Sequence, residues 1–212
     1  MRGHRCGPNS ALDFTAHNIS RVIFTQLDET RDCTTGDCPP TSSDTLISLN
    51  TGFDQNAGAL LPIGTLPNGT NDDDWKILSP GTTRPAKIVI DPVASWPAAL
   101  PNSRWISVDP NRGTSPGDRQ LVFERCFCLG PNAHDVAVAL DLRADDDASV
   151  LLNGTRLATG GRFSLADPLH VTANGPFVTG QNCLRVEVND TFGFFTGFDL
   201  AGFVFAAEGA CP

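Results

Sequence analysis

The dipeptide Asn153-Gly154, set between SVLL and TRLA, constrains this chain more than any other feature. Both central positions of a two-residue hairpin turn need positive φ, which Asn and Gly tolerate best. Period-2 alternation surrounds it. In DVAVALDL (135–142), Val136, Val138, Leu140 and Leu142 fall on one face, and Asp135, Ala137, Ala139 and Asp141 on the other. NCLRVEV (182–188) puts Leu184, Val186 and Val188 inward and Arg185 and Glu187 outward. RQLVFERCFCL (119–129) reads as a further strand, with TLISLNTGF (45–53) and AKIVIDP (86–92) as shorter ones. No stretch has the 3.6-residue period of an amphipathic helix. Short strands separated by turn signals give an all-β sandwich or barrel, antiparallel and wet on one face. Leu184, Val186, Val188, Val136, Val138 and Leu140 are expected to share one core.

Residues 1–40 read as an N-terminal arm containing one candidate strand, RVIFTQL (21–27), and 41–212 as the sandwich. The opening MRGHRCGPNSALDFT has basic residues but no apolar core behind them, so it is not a secretory leader as written. That leaves a leader already removed, another export route, or release inside an assembly such as a virus particle. Seven cysteines leave at least one thiol free or paired between chains. Cys33 and Cys38 bracket the turn-rich TTGD and are candidates for a local disulfide. Cys126 and Cys128 leave the same face of their strand and are expected to reach Cys183 and Cys211 rather than each other. The spacings CFC and CTTGDC lack the paired pattern of a zinc site.

The formal charge is −9, from 15 basic and 24 acidic residues. Such a chain does not suit a phosphate backbone, and nucleic acid is not an expected partner. No apolar run reaches the roughly 18–20 residues that span a bilayer, so membrane insertion is not expected either.

Several short motifs recur in an order that resembles a known family. The chain reads Thr51-Gly52-x-Asp54, then Asp72-x-x-Trp75, Trp105-Ile106, Phe127-x-Leu129, Ala144-Asp145-Asp146 leading to Leu152-Asn153-Gly154, and Gly180-x-Asn182-x-Leu184. This resembles the jelly-roll domains with a galactose-binding-like fold found in bacterial surface and secreted proteins. The likeness runs over about residues 45–207 and leaves 1–40 aside. It implies an antiparallel jelly-roll β-sandwich and a tendency to bind glycans or to serve as an appendage of larger proteins. The CFC pair departs from the family pattern.

A carbohydrate site needs an aromatic face and planar hydrogen-bonding groups on rigid loops. Trp75 and Trp105 read as core plugs. Trp96, in a Ser-Trp-Pro loop, is the candidate exposed platform. Arg125, between Phe123 and Phe127, is either paired with a charge, set at a local bulge, or turned to a ligand. The triplets Asp72–Asp74 and Asp145–Asp147 read as solvated turn residues, one Asp of which caps local backbone, with Asp145 as a candidate sugar contact. Calcium is the one ion such carboxylates would admit, but their spacing fits no EF-hand loop, and no cofactor is expected. Nucleophile-elbow, zincin and phosphate-loop motifs are missing, so no enzyme is expected.

Two functions follow. The first is a non-catalytic, surface-exposed adhesion module recognising carbohydrate, a glycan or cell-surface polysaccharide. The second is a structural subunit of a virion or extracellular appendage, a spike, fibre, decoration or filament protein. It would dock to neighbouring subunits through the arm and the phenylalanine-rich last strand. Both place the protein outside the cell, on a cell surface or on a virion surface.

Overall fold

The computed structural model describes residues 44–212, except 80, 81, 116, 118, 119, 192, 210 and 212. The arm expected over 1–40, its candidate strand and the Cys33–Cys38 pair lie outside the described residues.

Thirteen strands and no described helix make up this region. In chain order they are β1 (Thr45–Ser48), β2 (Phe53–Asp54), β3 (Ala59–Leu60), β4 (Asn71–Ser79), β5 (Thr82–Ile88), β6 (Ile106–Ser107) and β7 (Gln120–Leu129). There follow β8 (His134–Asp145), β9 (Asp147–Leu152), β10 (Thr155–Gly160), β11 (Leu169–Ala173), β12 (Gly180–Asn189) and β13 (Gly197–Ala207). Hydrogen bonding runs unbroken in the order β10-β9-β12-β7-β4-β5-β6-β13-β8-β11, with β1 also on β13. The path turns over at β5 and β6, so β10 to β5 form one layer and β6 to β11, with β1, the facing one. All of these pairings are antiparallel. The expected sandwich is therefore observed.

One core fills the space between the layers. Phe123, Val150, Leu184 and Val186 enter it from the first layer, and Val138, Leu140, Leu142, Phe198 and Leu200 from the second. Val136 packs against its margin, half-buried. The shared face read from the alternation is the inner face. β13 lies so close to β8 that any side chain at Gly202 would collide with Leu140.

The Asn153-Gly154 turn joins β9 to β10 with φ of 50° and 80°. The Asn153 side chain does more than turn the chain. Its amide donates to the Pro176 carbonyl at 2.9 Å and the Asn182 Oδ1 at 2.8 Å, and its Oδ1 accepts from the Cys183 N–H at 2.9 Å.

Cys126 is bonded to Cys183, directly opposite it across β7 and β12, and Cys128 is bonded to Cys211. Both cysteines of the CFC pair thus reach other segments, as their shared face requires. The second bridge fastens the segment after β13 to the other layer. The last strand is less open than its phenylalanines suggest. Phe198 and Phe203 are buried, and the exposed aromatics, Phe194 and Phe195, sit in the turn before it.

Leu140→Ala is expected to lower unfolding free energy by about 2–5 kcal/mol, because it removes a fully buried side chain from a closed core. Val136→Ala should cost clearly less. Denaturant melts that rank the two the other way would overturn the assigned register.

Candidate functional site

The loop after β5 turns back at Val93, whose carbonyl accepts from the Trp96 N–H at 2.8 Å. This places Trp96 against Trp105, ring centroids 4.3 Å apart and planes 26° from parallel. With Val89 the two indoles form a small apolar cluster separate from the main core. Above it opens a cleft of about 280 Å³, lined by Trp96, Trp105, Val93, Pro97 and the polar pair Asp91 and Arg104. The guanidinium of Arg112 reaches Asp91 at 2.9 and 3.2 Å. Arg104 donates its Nε–H to the Leu61 carbonyl at 2.8 Å. The rim therefore carries Asp91 and Arg104 beside a floor formed by the edges of two buried indoles.

Trp96 is held from behind. Its Nε1–H donates to the Asp145 carboxylate at 2.6 Å. Its six-membered ring rests on Gly113, where a Cβ would come within 2.7 Å of it. Asp145 ends β8 and Asp147 starts β9, so the acidic triplet forms the corner at which the chain crosses between layers. Asp146 takes the Thr191 N–H at 2.8 Å and Arg162 at 3.0 Å. Burial pushes the Asp145 carboxyl up to about 7, against the pull of the Trp96 hydrogen bond and helped by Asp146 and Asp190 nearby. Burial also opposes ionisation of Asp146, but the hydrogen bonds from Thr191 and Arg162 outweigh it and hold that carboxyl below its ordinary value.

The other triplet does similar work on β4. Asp72 accepts from the Gly52, Asp74 and Trp75 N–H groups at 2.6, 3.2 and 3.3 Å, across a break in the β4–β5 register. Burial raises its carboxyl to about 6. Asp74 pairs with Arg125 at 3.0 Å, and Arg125 also donates to the Gln55 side chain at 3.1 Å. A third buried carboxyl, Asp199, accepts from the Leu100 N–H and the Ser103 hydroxyl, both at 2.6 Å, and from the Thr51 hydroxyl at 3.3 Å. Burial lifts it to about 6.

Of the three residues singled out for sugar contact, two meet and one does not. Trp96 and Asp145 are hydrogen-bonded to each other. Trp96 is not the exposed platform expected: only 6% of it is accessible, because Trp105 covers one face and Asp145 secures its nitrogen. Arg125 does not face solvent. Its side chain is 4% exposed, on the inner face of β7, and it satisfies the paired-charge reading. Both triplets bond backbone N–H groups, but they are not the solvated turn residues expected. Asp72–Asp74 lie within β4, Asp145 and Asp147 belong to β8 and β9, and Asp72, Asp145 and Asp146 are buried because irregular neighbouring segments need their acceptors. Asp91, Arg104 and the stacking of Trp105 were not legible. Their only trace is the proline-punctuated loop between two short strands, which marks a rigid surface segment without saying what it encloses.

The chain matches no protein-family model and no curated protein. Several solved structures are similar in chain path. A lectin from Pleurotus ostreatus aligns at 13% identity and a TM-score of 0.40, covering 68% of this chain and 37% of that one. A family 35 carbohydrate-binding module from Clostridium thermocellum aligns at 12% and 0.37, covering 63% and 93%. A β-glucuronidase from an uncultured Clostridium aligns at 11% and 0.40, covering 80% of this chain and 30% of the enzyme. The chain thus spans well under half of the lectin and of the glucuronidase.

Asp199 makes a pH test available. Its native value of about 6 lies above the unfolded carboxylate value of 3.8, so the native state holds the extra proton between these values. Its contribution to stability is complete below pH ~4 and is lost as pH rises through about 6. Relative to the parent, Asp199→Asn should therefore gain in unfolding free energy between about pH 4 and pH 7. A gap that moves in the opposite direction in parallel melts would refute the assignment.

Proposed function

We propose that this domain is a non-catalytic carbohydrate-binding module whose ligand seats in the Trp96–Trp105 cleft. The observation that carries the reading is the cleft itself. Its apolar lining suits the C–H faces of a pyranose, while Asp91 and Arg104 offer hydroxyls an acceptor and a donor. At about 280 Å³ it suits one or two sugar units of a longer glycan. Two features support binding without bond cleavage. A glycosidase needs two opposed carboxyl groups, and the described lining of the cleft contains one, Asp91. The neighbouring Asp145 and Asp146 are engaged by Trp96, Arg162 and Thr191. The two disulfides support an oxidising, extracellular setting, on a cell or particle surface.

A second reading rests on a different observation. Phe194 is 69% exposed and neighbours the exposed Phe195, an apolar pair on the turn before β13. As a docking tip it would suit a structural subunit of an appendage or virion.

Glycan-array binding followed by titration calorimetry tests the first reading. Ala98→Trp, at an exposed lining position, should fill the cleft and abolish binding, and Asp91→Asn, which keeps a residue that tolerates the φ of 53° there, should weaken it about fivefold, the loss of the charge from one good hydrogen bond. Both variants should keep the parent melting temperature. An array without hits, alongside a concentration-dependent oligomer that Phe194→Ser dissolves, would replace this reading with the second.

A further inference from the structure

We infer that Asp145 is the positioning residue of the cleft: its carboxyl sets the place of the Trp96 indole from behind, so the shape of the floor follows the ionisation of Asp145. The inference rests on the cleft reading for its effect on ligands, but the coupling itself belongs to the free protein.

The geometry is that of a lever with one adjustable contact. Trp96 is fixed on three sides by groups that do not titrate: Trp105 stacked on its face, Gly113 against its ring, and Gly197, where a Cβ would lie 3.0 Å from the same ring. The fourth contact is the 2.6 Å hydrogen bond to Asp145. A carboxylate accepts such a bond roughly twice as strongly as a neutral acid. Asp145 in turn is anchored in the corner between the layers, where the Thr196 hydroxyl donates to its carbonyl. A change at the carboxyl is therefore passed to the indole rather than absorbed by the backbone.

The charged groups around Asp145 are Asp146 beside it, Asp190 at the end of β12, and Arg162, which belongs to Asp146. Burial disfavours the charged form, the two neighbouring carboxylates act in the same direction against the pull of the Trp96 bond, and the Asp145 transition moves up to about 7. The exposed Asp91–Arg112 pair stands at the cleft rim. Above neutrality the ionised carboxyl holds the indole firmly. Below it the grip loosens and the floor relaxes. A glycan retained in the array should bind about fivefold more weakly at pH 5.5 than at pH 8.5, the difference between a charge-assisted and a neutral hydrogen bond.

The decisive test uses the free full chain. Indole N–H resonances, with Trp96 assigned by Trp96→Phe, are followed from pH 5 to pH 9 together with the methyl signals of Val89 and Val93. The Trp96 resonance and the two valines should move in one transition near neutrality. In Asp145→Asn that transition should vanish. A Trp96 signal that does not titrate, or one that still titrates in Asp145→Asn, would overturn the inference. Should Asp145→Asn not fold, the side-chain carboxyl carbon of Asp145 is followed in Trp96→Phe. Losing the indole donor should shift its transition to higher pH, and an unchanged transition would overturn the inference equally. A glycan array without hits would remove the ligand reading and leave this result standing.

Discussion

Three aromatic rings decide how the two layers face each other. Trp75 on β4 and Phe123 on β7 both meet Phe198 of β13 edge to face, with centroids 5.1 and 4.9 Å apart. All three are fully buried. Edge-to-face contact is directional, so it fixes the lateral offset of the layers as well as their separation. The Trp75 nitrogen adds a donor to the Leu49 carbonyl at 3.2 Å, just past β1. The rim inherits that offset through the two residues before Phe198 in the chain. Gly197 lies against the Trp96 ring, and the Thr196 N–H donates to the Gly113 carbonyl at 2.8 Å, beneath the same indole.

Much of the fold was legible because it depends on local rules. The alternation of Val136, Val138, Leu140 and Leu142 could serve only a strand with one covered face. Asn153-Gly154 could hardly be anything but a hairpin turn. Cys126 and Cys128, two apart, had to leave their strand together and find partners elsewhere. The order of the strands in space was carried by no local signal. It depends on β4 inserting beside β7 and on β13 running between β8 and the short β1 and β6, pairings between residues far apart in sequence.

The site was only half legible, for a related reason. Trp96 and Asp145 could each be picked out as unusual, but their partnership spans 49 positions and arises only when the corner and the loop close on each other. The expectation that a tryptophan in a Ser-Trp-Pro loop is exposed failed because a second indole was available to cover it. Arg125 shows the reverse. An arginine between two inward phenylalanines had to be neutralised, and Asp74 does so, with the bulge in β4 bringing it within reach. Buried carboxyls at Asp72, Asp145 and Asp199 each secure an irregular segment that no ladder hydrogen bond could hold. Their raised values are the electrostatic cost of that arrangement.

The Cys128–Cys211 bridge has a mechanical consequence. A pull on the chain beyond β13 does not reach that strand's end first. The covalent link passes it to β7, which is flanked by β4 and β12 in the middle of the opposite layer. The load thus falls on a central strand that the Cys126–Cys183 bridge ties covalently to β12, so tension must part β7 from β4 rather than slide it past both neighbours. A domain anchored from that side would resist tugging while its rim stays in place.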